Sequence, residues 1–206
     1  SAARRSSLLD GTTNSARLVF SEADGLPGLT ADRYSDVVVC QLTTVGADRW
    51  RDVIADTLAR LDAVTAVYER SDGDNRQREG LDDRAGLLRG TMPSSPTIVE
   101  EDGLRYIVDI EHGHNTGFYL DQRDARRAIP AYAKGARVLN VFGYTGAFSV
   151  VAAASGASEI LTIDSSGPPA TRSAPVRNGT SPDVSSVATH SSEESHGMSG
   201  CDHSIH

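Results

Sequence analysis

Val138-Leu-Asn-Val-Phe-Gly-Tyr-Thr-Gly-Ala-Phe-Ser149 is the stretch that decides the fold of this chain. Its approach, Arg137-Val-Leu-Asn-Val141, is an apolar run of strand length, as in a strand buried in a parallel sheet. Glycines at 143 and 146 open a turn whose backbone N–H groups approach a ligand closely, at the positive end of the next helix. The small residues from Ala147 to Ser155 predict that helix. Glu159-Ile-Leu-Thr-Ile163 predicts a second strand, ended by Asp164. Strand, glycine turn, helix, strand and terminal acid form the first βαβ unit of a doubly wound, Rossmann-like α/β sheet. Asp164 stands where an acid accepts hydrogen bonds from the two hydroxyls of a ligand ribose. The turn is not G-x-G-x-x-G, so a dinucleotide-dependent oxidoreductase is the weakest reading of the unit.

Upstream, Asp121 to Ala133 reads as a helix with Asp121 as its N-cap, Gly135 just past its end, and Pro130 kinking it. Before it lies a small α+β unit, residues 17–111, which follows a linker over 1–16. Leu29–Arg33 and Val37–Leu42 flank a hairpin turn at Tyr34-Ser-Asp36. Trp50, Val53, Ile54, Leu58 and Leu61 share one helical face, read as buried. Val64 to Tyr68 is a strand, terminated by Glu69-Arg-Ser-Asp72. Thr97–Val99 and Leu104–Ile110 pair across Glu101-Asp-Gly103. Five arginines between Arg70 and Arg89 are interleaved with acids, which reads as a solvated loop rather than an RNA-binding patch.

The composition bounds the function. The formal charge of −8 excludes nucleic-acid binding by bulk electrostatics, so any RNA contact is local. No run reaches the roughly 18 apolar residues of a membrane span. The N-terminus shows no secretory signal, and a cytoplasmic location is expected. Two cysteines, Cys40 and Cys201, make neither a disulfide framework nor a four-ligand zinc site. The irregular tail histidines 190, 196, 203 and 206 predict no metal site. Composition breaks near residue 165. Of the last 42 residues, 22 are Ser, Thr, Gly or Pro and none is Leu, Phe, Tyr or Trp, so residues 167–206 are expected to be disordered.

Five separated segments carry a resemblance. They are Gly25-Leu-Pro-Gly-Leu29, Asp32-Arg33-Tyr34, Tyr68-Glu-Arg-Ser-Asp72, Gly113-His-Asn-Thr-Gly-Phe-Tyr-Leu-Asp-Gln-Arg123 and the glycine turn itself. In this order they resemble the S-adenosylmethionine-dependent 23S ribosomal RNA cytosine-5 methyltransferases, over roughly residues 10 to 166. The resemblance implies that residues 112–166 begin a class I methyltransferase domain and that ribosomal RNA is the substrate. It further implies that Asn140, Phe142, Gly143 and Gly146 form the loop holding S-adenosylmethionine, with Asp164 on its ribose. Phe118, Tyr119, Asp121, Gln122 and Arg123 match the segment that closes over the cofactor. The residues also admit plainer roles: Asp121 as a cap, Phe118 as core, and Arg123 paired with Asp124 or Glu111.

The chain also departs from that pattern. The family's leading RNA-binding domain, its Asp-Pro-Pro loop and its nucleophilic cysteine have no counterpart in this sequence. That thiolate adds to cytosine C6 so that C5 can attack the cofactor's methyl group. Cys40 sits in an apolar strand and Cys201 in the tail, so no catalytic residue is expected and the chain alone is expected to be inactive. The proline-broken stretch after Asp164 suggests a shift of reading frame near residue 166. A two-strand sheet fragment would leave Val138, Leu139, Val141, Ile160, Leu161 and Ile163 partly exposed, with an open edge prone to self-association. The alternative to an enzyme fragment is a non-catalytic RNA- or protein-binding module.

Overall fold

The computed structural model describes residues 9, 11–114 and 116–164, and the backbone of Val187–His190. A five-stranded mixed sheet comes first, in the order β1 (Ser15–Phe20), β2 (Leu29–Tyr34), β3 (Val37–Leu42), β4 (Ala66–Ser71) and β5 (Arg84–Gly90). Its pairs are antiparallel except β3–β4, which is parallel. A parallel pair needs a crossover, supplied here by helices α1 (Val45–Arg49) and α2 (Arg51–Ala59). Thr44 caps α1, its hydroxyl accepting the Ala47 N–H at 3.2 Å.

The crossover helices bury Ala47 and Leu58 against Leu18, Val38, Cys40 and Val67 on one face of the sheet. On the other face Tyr34, Val37 and Val39 pack against Val99, Tyr106 and Val108 of a hairpin, β6 (Thr97–Glu101) and β7 (Leu104–Val108). Strand β3 is therefore covered on both sides, which explains why Val37-Val-Val-Cys40 is an unbroken apolar run.

Several expectations are corrected here. Trp50 and Val53 are exposed, at 60% and 54%, because the chain breaks between α1 and α2 at Trp50 and turns these two side chains outward. Glu69 and Arg70 lie within β4, which ends at Ser71 rather than at Tyr68, and Glu69 is buried against Arg51 at 2.7 Å. The stretch to Arg89 is largely exposed, as expected, but it is not a loop: it forms a short helix, α3 (Asp74–Arg78), followed by β5. Arg76 is only 1% exposed, because its guanidinium bonds the Leu42 carbonyl (2.7 Å), Asp48 (2.6 Å) and the Asp82 carbonyl. Buried charge is tolerated when each guanidinium nitrogen finds an acceptor in this way.

Asp121 caps no helix. It lies in a 3-10 turn, Leu120–Gln122, which leads directly into α4 (Arg123–Ala128). Pro130 divides the predicted helix as expected, standing at the first position of α5 (Pro130–Ala133), where its missing N–H costs nothing. Strand β8 (Arg137–Val141), helix α6 (Ala147–Ala154) and strand β9 (Glu159–Ile163) then form the parallel βαβ unit. The expectation of disorder throughout the tail is corrected at Val187–His190. That segment is strand β10, parallel to β9, which makes a three-stranded sheet of order β10-β9-β8. The rest of the tail, with Cys201 and the histidines 196, 203 and 206, lies outside the described residues.

Helix α6 covers one face of this second sheet, burying Ile160 beside Ala133 and Ala152, with Val138 partly buried. Ile160 therefore leaves the group expected to be partly exposed, while Val138 stays in it. On the opposite face Leu139, Val141, Leu161 and Ile163 remain exposed among the described residues.

Candidate functional site

A cleft of about 490 Å³ opens at the carboxyl ends of β8 and β9, between the glycine turn and the segment running into α4. Ligands of doubly wound sheets bind at this end of the strands. Phe118, Tyr119, Gln122, Phe142, Gly143 and Asp164 line it. Asn140 stands behind the turn, its amide donating to the Ser149 hydroxyl at 2.9 Å. Gly146 is the N-cap of α6, at φ +71°, and Asp121 points to solvent. Arg123 pairs with neither Asp124 nor Glu111. Its guanidinium is buried, bonding Glu101 at 3.0 Å and the Ser15 carbonyl at 2.9 Å.

The turn is held in an unusual backbone shape. Phe142 and Tyr144 have φ of +61° and +47°, a left-handed conformation that costs a bulky residue on the order of 1–3 kcal/mol. A Cβ on Gly143 would stand 2.3 Å from Thr162 Cγ2, so only glycine lets the turn lie against β9. The strain is offset by bonds from both sides. The Tyr144 N–H donates to Asp164 Oδ2 at 2.6 Å, and Gly143 N–H to the Ile163 carbonyl at 3.1 Å. The Tyr144 hydroxyl donates to the Gly117 carbonyl at 2.9 Å and accepts the His114 N–H at 2.8 Å. Burial pushes the Tyr144 phenol above its ordinary value, which keeps it a neutral donor.

Sequence reasoning passed over Tyr144, His114, Phe148 and Arg126, all of which line the cleft. Tyr144 lay inside the quoted turn, but periodicity does not say which aromatic turns inward. Arg126 had a signal in its spacing from Arg123, since residues three apart share a helix face. Both guanidiniums converge on Glu101, which is 2% exposed. Arg126 bonds it at 2.6 and 2.9 Å and also donates to the Tyr119 carbonyl at 2.9 Å. Its guanidinium lies 4.7 Å from the centroid of the Phe118 ring, which is itself packed on Tyr106. Phe118 thus serves core and cleft together. Cys40 is buried in β3, far along the chain from the turn, and burial pushes its thiol up to about 12.

The donor set suits a nucleoside carrying an amino-acid arm. Aromatic faces can stack on a base, a carboxylate such as that of Asp164 can accept from a diol, and a helix N-terminus such as that of α6 can receive a carboxylate. Among the described residues no cluster of three His, Cys, Asp or Glu side chains could hold a metal ion. No helix among them is long and apolar enough to cross a membrane.

Fold and cleft together define a Rossmann-like, nucleoside-binding class of protein. The sequence model of the S-adenosylmethionine-dependent methyltransferases matches residues 22–198, and the chain belongs to that family. The ribosomal RNA large subunit methyltransferase I of Shewanella denitrificans is 51% identical over 148 residues, 72% of this chain. Its Aeromonas salmonicida counterpart is 47% identical over the same length. The chain spans 37% of the length of these curated relatives. A solved structure described as a SAM-dependent methyltransferase from Streptococcus mutans matches 80% of this chain and 42% of its own, at 29% identity and a TM-score of 0.68. A second, SMU.776, matches with the same figures and was crystallised with SAH. The family's cofactor is S-adenosylmethionine.

Proposed function

We propose that this chain carries the cofactor-binding part of a ribosomal RNA methyltransferase that modifies C5 of a cytosine in 23S RNA. Alone, it binds S-adenosylmethionine and does not turn over. The observation that carries the reading is the cleft at the ends of β8 and β9, where a strained glycine turn, an acid and a set of aromatic rings converge. When bound, the cofactor supplies an electrophilic methyl group on a sulfonium sulfur. Asp164 accepts the ribose hydroxyls while holding the Tyr144 N–H, so one carboxylate shapes the turn and orients the sugar. Phe118, Tyr119 and Phe142 enclose the base, and Gln122 closes the cleft from the α4 side. Asn140 and Gly146 set the turn from behind, and Arg123 anchors the closing segment through Glu101. Asp121 borders that segment at the surface.

The RNA assignment rests on the ribosomal RNA methyltransferases among the relatives. The absence of turnover rests on the two cysteines: the buried, neutral thiol of Cys40 cannot serve as a nucleophile toward cytosine C6, and Cys201 stands in a Ser-rich sequence without the strand and helix pattern that would aim it. Calorimetry with SAH tests the cofactor. Saturable binding at one site is expected, weakened about tenfold or more in Asp164→Ala, and no binding by the intact chain rejects the reading. Methyl transfer to unmodified 23S RNA tests the rest. Incorporation by this chain alone refutes its inactivity, and a full-length relative that methylates an atom other than cytosine C5 refutes the position. RNA binding without any affinity for SAH would leave a non-catalytic module.

A further inference from the structure

The first sheet grips the cleft through a directed chain of buried hydrogen bonds. Asp32, fully buried in β2, is paired with Arg17 by two 2.8 Å bonds, and its Oδ2 accepts the Thr116 hydroxyl at 2.6 Å. A carboxylate only accepts, so the Thr116 proton lies on that bond and its oxygen is left to accept from Tyr34 at 2.7 Å. The Tyr34 oxygen in turn accepts the Phe118 N–H at 3.2 Å. A second hold lies in β4. Arg70 donates to the Ile110 carbonyl at 2.7 Å and the Gly113 carbonyl at 3.0 Å. Between these holds, His114 N–H and the Gly117 carbonyl bind the Tyr144 hydroxyl, and Tyr144 is one of the two strained residues of the glycine turn.

We infer that Asp32, Thr116, Tyr34 and Arg70 are positioning residues for the cofactor cleft, acting on the glycine turn through Tyr144. The inference rests on the cofactor reading above and adds a role for two motifs, Asp32-Arg33-Tyr34 and Tyr68–Asp72, that do not line the cleft themselves. An apolar set of the same shape would pack this core about as well; the polar relay adds direction, because its ends fix backbone atoms at Ile110, Gly113 and Phe118, along the segment that leads into the cleft.

The test uses the full chain with Thr116→Val, which keeps the shape and removes the hydroxyl, and Thr116→Ser, which restores it. Hydrogen exchange is read at residues 142–146 and over β1–β5, and SAH affinity is read by calorimetry. In the valine variant, exchange in the turn quickens and SAH affinity falls, each roughly fivefold or more, as for loss of one buried hydrogen bond. Protection over β1–β5 stays as in the wild type, and the serine variant returns both readings to within about twofold of it. Unchanged exchange in the turn overturns the inference, as does uniform loss of protection across β1–β5, which marks a scaffold role. If the wild type binds no SAH, the cofactor reading falls while the exchange comparison still decides the coupling.

Discussion

The two sheets of this molecule are finished to different degrees. The first has a layer on each face, and its buried charges Asp32, Glu69, Arg70 and Arg76 each meet oppositely charged partners or carbonyl oxygens. The second has α6 on one face, and among the described residues a bare row of Leu139, Val141, Leu161 and Ile163 on the other. Apolar burial is worth about 25 cal/mol per Å², so the first sheet is the stable part and the second depends on it. The cleft lies on the dependent part, next to the seam. A site that must open for a ligand belongs where local stability is low, provided a rigid neighbour aligns it.

The sharpest way to break this comparison is at the seam. Glu101→Gln leaves the Arg123 and Arg126 guanidiniums facing a neutral amide, and a loss of about 3–5 kcal/mol in denaturant unfolding is expected. Leu42→Ala, in the closed core of the first sheet, is expected to cost about 2–5 kcal/mol by the same measurement. Alkali separates the sheets in another way. The Cys40 thiol keeps its proton up to about 12 in the fold, against an ordinary 9.0, so the unfolded chain deprotonates first. The stabilising effect is complete below pH 9 and is lost as pH rises toward 12. Near pH 9 the thiol alone should make stability fall by about 0.7 kcal/mol per pH unit, with Tyr34, Tyr68, Tyr106 and Tyr144 adding to the slope increasingly toward pH 10, and Cys40→Ala should remove the thiol's share. Thr44→Ala removes the α1 cap and should cost about 1 kcal/mol. Smallest of all, Leu161→Ala on the bare face should change stability by no more than about 0.5 kcal/mol; a loss near that of Leu42→Ala would show that face to be covered.

Where the sequence could be read, short-range rules were at work. The βαβ unit followed from an apolar run, two glycines and a terminal acid within one window, and the β2–β3 hairpin from two apolar runs around a short polar turn. The resemblance extended that reading to the family. Strand β5 escaped because Gly86 and Gly90 interrupt its apolar residues and its arginines suggested solvent. Asp121 looked like a cap because its residue type suits one, whereas the chain enters α4 through a 3-10 turn that leaves it exposed.

By itself, then, the sequence determined the order of elements around the turn, the kind of ligand the turn suits, and a net charge that argues against nucleic-acid binding by bulk electrostatics alone. Only the tertiary structure decided which side chains reach the cleft and which are spent inside. Arg123 was assigned to the cofactor segment, yet it bonds a carbonyl 108 residues away and a carboxylate 22 residues away. Tyr34 stood in one of the segments that carry the resemblance but had no role assigned, yet it holds the Phe118 backbone 84 residues on. Turn and helix preferences act over a few neighbours and leave a local trace in composition. The partner of a buried charge is set by how whole layers pack, and nothing in the residues adjacent to Arg123 or Tyr34 encodes it.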